Sequence, residues 1–100
     1  MESVYEEALV CELKLRGTKV ERQRPVPILY KGFTLATPLR LDIRVNGLVL
    51  VDSKAVEQWN RIFEAQMLTY LRLTKLKLGL VINFGEQLVK DGIHRVVNGL

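Results

Sequence analysis

The sequence is poor in most of the residues from which a small protein builds chemistry or cross-links. It has one cysteine, Cys11, so no internal disulfide can form and the chain fits a reducing cytosol. It has one histidine, His94. With no cysteine or histidine partner at ligand spacing, His94 reads as a structural or surface residue. No apolar run approaches ~20 residues, so nothing is expected to span a membrane. Residues 1–9, MESVYEEAL, are acidic and helical rather than basic then apolar, and a secretory signal is not expected. Gly47, Gly79 and Gly85 are isolated, which excludes a glycine-rich phosphate loop. There is no internal repeat, low-complexity run or linker. The 100 residues are therefore read as one small α/β domain, 1–100.

What is present is a core and a mild positive charge. Apolar residues make up 48% of the chain, and their alternating patterns argue against disorder. The net charge of +4 leans towards phosphate-bearing partners, although lysine and arginine equally serve to solvate a surface. A domain this small buries a modest core, so a partner subunit covering an exposed face would help it.

Residues 2–16 predict a helix with an apolar stripe of Val4, Tyr5, Ala8, Leu9, Cys11 and Leu15, which puts Cys11 in core packing. Acidic Glu2, Glu6 and Glu7 open it and Lys14 and Arg16 close it, as the helix dipole prefers. Gly17 stops it. A short strand follows at 20–24. Pro25 and Pro27 then confine that segment to an edge or a bend. Residues 28–30 and 33–35 flank Lys31-Gly32, a tight hairpin turn. Arg22, Arg24 and Lys31 form a loose basic group that either faces phosphate or solvates an edge.

Residues 39–46 alternate cleanly. Leu39, Leu41, Ile43 and Val45 point one way, and Arg40, Asp42, Arg44 and Asn46 the other. Asn46-Gly47 is the strongest turn signal in the chain. The return strand, 48–54, is apolar until Asp52, as in a strand buried on both faces. A second helix is predicted over 55–75, with Val56, Trp59, Phe63, Gln66, Tyr70 and Leu73 on one face. Gln66 is then a buried amide in need of partners. Residues 78–84 form another apolar strand, parallel to a neighbour because a helix precedes it. A weak strand or helix lies near 93–97.

The polar end of the 48–54 strand is where chemistry is available. Asp52 and Lys54 are two apart, so they share a face. Whether Asp42 joins them depends on the turn. A two-residue Asn46-Gly47 loop places Asp42 opposite Val51, on the face away from Asp52, and no site exists. A loop of 45–47 places Asp42 opposite Leu50, diagonal to Asp52. A loop of 46–48 places it directly opposite Asp52. Two neighbouring carboxylates repel unless a cation or a proton lies between them. Mg²⁺ takes carboxylate and carbonyl oxygens, and the backbone C=O of Ser53 is placed to be a third ligand. Lys54 would orient an attacking water, assist its deprotonation or stabilise charge on a phosphate. That set suits phosphodiester hydrolysis. The other reading is a surface ion pair, Asp42–Arg40 or Asp52–Lys54, without a function.

Several stretches together resemble the PD-(D/E)XK nuclease superfamily, and more narrowly the bacterial GxxExxY family within its RecB-like branch. They are ESVYEEAL (2–9), LRGTKVERQRPVPILYKG (15–32), RLDIRVNGLVLVDSKAVE (40–57), EAQMLTYLRLTKLKLGLVINFG (64–85) and KDGIHRVV (90–97). The resemblance implies a restriction-endonuclease-like αβββαβ core with a mixed sheet, without the usual N-terminal helix extension. Asp42 then matches the first acidic ligand, and Asp52 and Lys54 the (D/E)xK pair. Gln66 and Tyr70 match the Q-x-x-x-Y motif that contacts DNA or supports the site. Glu2 and Tyr5 match the E and Y of the name motif, with Glu2 helping to bind metal. The chain departs from the pattern in carrying Asp52 where glutamate is typical and Phe63 where a polar residue is common.

Two functions are thus expected to compete. One is a Mg²⁺- or Mn²⁺-dependent nuclease in the cytoplasm, acting on DNA in the first place and on RNA in the second. The other is a non-catalytic module of the same fold that binds nucleic acid or dimerises. A third possibility is a reading frame whose true start lies upstream of Met1. Without the helix extension an apolar strip of the sheet would be uncovered, so a homodimer or higher homo-oligomer is expected.

Overall fold

The computed structural model describes residues 2–36 and 39–99, with the side chains of Glu2, Gln23, Arg24, Val26, Tyr30, Leu39, Arg40 and Leu41 excepted. The chain runs α1 (Glu2–Leu15), β1 (Val20–Val26), β2 (Leu29–Tyr30), β3 (Phe33–Thr34), β4 (Leu39–Val45), β5 (Val49–Lys54), α2 (Ile62–Thr74) and β6 (Leu78–Asn83). A short 3-10 turn at Val89–Gly92 leads into β7 (Ile93–Val97). Five strands form one sheet in the order β1-β4-β5-β6-β7, and β2 with β3 forms a separate hairpin.

β5 is the centre of the sheet. It pairs antiparallel with β4 and parallel with β6. The parallel pair requires a crossover, and α2 supplies it. Successive residues of β5 serve opposite cores. Leu50 joins Met67, Leu71, Val81 and Val96 under α2. Val51 joins Val10, Ile43 and Ile82 under α1. The edges are β1, which carries Pro25, and β7, which pairs antiparallel with β6. The 93–97 segment is therefore a strand. Val96 is buried and His94 half-buried on one face, while Ile93, Arg95 and Val97 are exposed on the other.

Three sequence expectations about the helices are corrected. Cys11 is exposed. The inner face of α1 is Glu6, Leu9, Val10 and Leu13, a set in steps of three and four from Val10 that leaves Cys11 about 100° round the helix. The second helix begins at Ile62, not at 55. The fully buried Asn83 holds the chain after β5 in an extended form: its Oδ1 accepts the N–H of Val56 and its Nδ2 donates to the C=O of Val56, both at 3.0 Å. Asn60 Oδ1 then accepts the N–H of Ile62 at 3.0 Å, which starts the helix there. Gln66, finally, is exposed rather than buried. The inner face of α2 is Phe63, Met67, Tyr70 and Leu71: Phe63 and Tyr70 hold their expected places, and Met67 and Leu71 stand where Gln66 and Leu73 were expected. Met67 approaches the sheet at Gly79, where any β-carbon would collide with its Sδ.

α1 covers only part of its face of the sheet. An open apolar cavity of about 240 Å³ remains, lined by Leu9, Leu13, Val45, Val49, Val51 and Leu80, among others.

Candidate metal and phosphodiester site

The β4–β5 turn sets everything else. Asn46 and Gly47 are both left-handed, at φ 53° and 68°, which suits asparagine and glycine and few other residues. The Leu48 N–H donates to the C=O of Val45 at 3.0 Å. The ladder pairs Val45 with Val49, Arg44 with Leu50 and Ile43 with Val51. The loop is therefore 46–48, the second of the two three-residue alternatives, and continuing that register puts Asp42 directly across from Asp52. Asn46 also anchors the turn to β1, since its Oδ1 accepts the N–H of Lys19 at 3.1 Å and its N–H donates to the C=O of Lys19 at 2.8 Å.

The sheet forks just beyond this register. β1 and β4 stay paired through Val26 and Leu39, whereas the β4–β5 ladder ends at Ile43 and Val51. The next ladder pair would join Leu41 and Ser53. Instead the Ser53 N–H reaches the Asp42 carboxylate, with Oδ2 at 3.5 Å. In a strand the N–H and C=O of one residue project to the same side, so the C=O of Ser53 also looks into the fork. The C=O of Lys54 looks the other way and accepts the Phe84 N–H at 2.8 Å.

Asp42 is pushed up from 3.8 to about 7, first by burial, then by a hydrogen bond and charge repulsion from Asp52. The Ser53 N–H and the Lys54 ammonium oppose the shift. The two carboxylates are thus close enough to share a proton. Lys54 Nζ lies 3.4 Å from Asp52 Oδ2, both side chains mostly withdrawn from water. It also lies over the Phe63 ring, 4.7 Å from its centroid, a position in which an aromatic face attracts a cation. The residue at 63 thus positions the lysine although it is not polar. Tyr70 is raised first by burial and then by Asp52, so the phenol stays protonated and adjoins the carboxylates. Gln66 is exposed at the margin of the α2 side that carries Phe63 and Tyr70, open to a ligand rather than sealed in the core. Glu2 opens α1, and its side chain lies outside the described residues.

His94 belongs to a different cluster. It stacks on Trp59 with ring centroids 3.6 Å apart, and its Nδ1 is 3.5 Å from Glu64 Oε1. The same oxygen accepts the Trp59 Nε1–H at 2.8 Å. Trp59 in turn meets Phe63 edge-on at 5.1 Å, so the cluster supports the ring beneath Lys54. Sequence reasoning missed this cluster, and it missed Asn83. The only sign of Asn83 was a polar residue closing an otherwise apolar strand.

Among the described residues no three histidine, cysteine or acidic side chains gather around one point. The donor set at the fork is instead two carboxylates and a carbonyl, which is what a hard divalent cation takes when it keeps several waters. The residues present fit Mg²⁺ or Mn²⁺. No helix among the described residues is long and apolar enough to cross a membrane.

A family model described as the PD-(D/E)XK nuclease superfamily matches residues 1–96. No curated protein and no solved structure matches the chain significantly.

Proposed function

Because the chain belongs to the PD-(D/E)XK nuclease superfamily, we propose that it hydrolyses phosphodiester bonds of DNA with the help of Mg²⁺ or Mn²⁺. The observation that carries this reading is the register that sets Asp42 across from Asp52, with Lys54 on the same face, where the sheet forks. Asp42, Asp52 and the C=O of Ser53 would hold the ion, with Glu2 contributing from the start of α1. The ion would neutralise charge on the attacked phosphate. Lys54, aimed by Phe63 and Asp52, donates to the attacking water or to a phosphate oxygen. Gln66 and Tyr70 present an amide and a neutral phenol to the substrate from one face of α2. Their four-residue spacing supports placement in the RecB-like branch and its GxxExxY family.

The whole chain acts as one domain in a reducing cytoplasm, where an exposed Cys11 is tolerated. It self-associates through the apolar face that α1 leaves open, since a groove of that kind is costly to leave in water. Purified protein should bind Mn²⁺ saturably and cut plasmid or single-stranded DNA. Lys54→Ala should lower the cleavage rate by roughly 10²–10³-fold while metal binding persists. Intact DNA together with no saturable metal binding would overturn the assignment.

A further inference from the structure

Among the described residues, those of the hairpin formed by β2 and β3 take no part in the fold's cores. Its strands pair with each other, Leu29 with Thr34 and Tyr30 with Phe33, in a sheet separate from the main one. Lys31 and Gly32 make its tip, both left-handed at φ 48° and 82°, as a two-residue hairpin turn requires. The Leu35 N–H closes the hairpin by donating to the C=O of Ile28 at 2.8 Å. That pairing puts Phe33 and Leu35 on one face. They are 74% and 42% exposed. An isolated two-stranded hairpin is marginally stable in water, and large apolar side chains displayed on one mark a contact surface.

Charge and position identify the occupant. From 24 to 41 the sequence carries Arg24, Lys31 and Arg40 and no aspartate or glutamate, while Arg22 just before them is paired with Glu6. A second copy docking here symmetrically would set these cations against their own counterparts, whereas a polyanion would complement them. The two roots of the hairpin, Val26 and Leu39, are paired with each other. Leu39 stands three residues before Asp42 on β4, so the root lies about 10 Å along the strand from the carboxylates.

We propose that residues 27–36 are a DNA-engaging arm, in which Phe33 and Leu35 contact bases beside the cleavage site and Lys31 takes a backbone phosphate. Apolar side chains of this kind wedge between base steps or stack on unpaired bases. The proposal rests on the phosphodiester reading of the fork, and its test keeps the two apart. Binding of a short fluorescein-labelled duplex, and of its single strand, is measured by anisotropy in EDTA, where no cleavage occurs. Phe33→Ala should weaken binding of one or both probes by on the order of 10-fold, and Phe33→Trp should restore it. Lys31→Ala should lower the slope of log affinity against log salt by about one. The thermal midpoint and the mass by light scattering should not change, because Phe33 is exposed. The arm is overturned by binding that survives Phe33→Ala within about twofold, or by a Phe33→Ala protein whose oligomeric mass falls, since the hairpin is then a contact between copies. Arm-dependent binding by a protein that never cuts DNA keeps the arm and removes the nuclease. Cleavage with an unchanged KM in Phe33→Ala does the reverse.

Discussion

Asp42 is the residue on which the site's pH behaviour turns. Its carboxyl is raised to about 7 by burial and by Asp52, so a proton would compete with the proposed divalent ion for the same oxygen. Metal affinity measured by calorimetry should therefore climb about tenfold per pH unit up to pH 7 and level off above it. An affinity independent of pH between 5 and 7 would show that the ion does not use this carboxylate. The same shift has a stability consequence. A carboxyl whose folded value exceeds its unfolded value stabilises fully below the unfolded value near 3.8, and that contribution is lost as pH rises through 7. Asp42→Asn removes the repulsion without changing shape. In metal-free protein it should raise the unfolding free energy at pH 8 by on the order of 1 kcal/mol once solvent screening is allowed for. At pH 4 it should change little, and it should abolish metal binding at both values.

The turn between β4 and β5 is the element on which the site's existence depends. Side chains alternate with a period of two, so a tight two-residue Asn46-Gly47 loop in the intact chain would pair Val45 with Leu48 and set Asp42 against Val51. Deleting Leu48 removes that conflict: Asn46-Gly47 becomes a two-residue loop closed by Val45 and Val49, a favourable turn in itself, and Asp42 stays across from Asp52. Circular dichroism should show an intact sheet, and Mn²⁺ binding should persist. A folded variant that no longer binds Mn²⁺ would contradict the register. The connection at 55–61 shows a related dependence. Asn83 satisfies both backbone groups of Val56 and also accepts the Gly85 N–H at 3.0 Å. Asn83→Leu leaves those groups unpaired and should cost about 2–4 kcal/mol in urea denaturation. Lys54 and Phe63, which flank the clamped segment, should lose their mutual position, seen as a larger fall in kcat than in metal affinity.

At the scale of the whole molecule, α1 and α2 cover the sheet unequally. The face under α1 keeps an open apolar groove lined by Val49 and Leu80, and β7 presents Ile93 and Val97 along the same side. Light scattering at high micromolar concentration should therefore report a dimer or larger species. Leu80→Asp, a half-buried position on that groove, should shift the mass towards the monomer. A monomeric wild-type protein would remove the expectation.

The sheet was legible in the sequence because strand alternation and turn chemistry are local. The 39–46 alternation, the proline-marked edge, the Asn46-Gly47 turn and the parallel strand at 78–84 needed no knowledge of distant residues. The pair Asp52 and Lys54 was legible for the same reason. The helices were read less well. A stripe in steps of three and four can be drawn through several sets of residues, and only packing selects one. In α1 that choice buried Glu6, whose carboxylate meets Arg22 at 3.4 Å, and exposed Cys11. In α2 it depended on Asn83, which holds Val56 from 27 residues away and delays the helix to Ile62. The sequence alone determined which side chains are candidates to bind an ion and act on phosphate. It left three registers open for the hairpin that carries them. The tertiary structure chose the one that sets Asp42 across from Asp52. There the turn is tied to Lys19 and β4 stays paired with β1, and pairings between separate parts of the chain are not encoded in any local stretch.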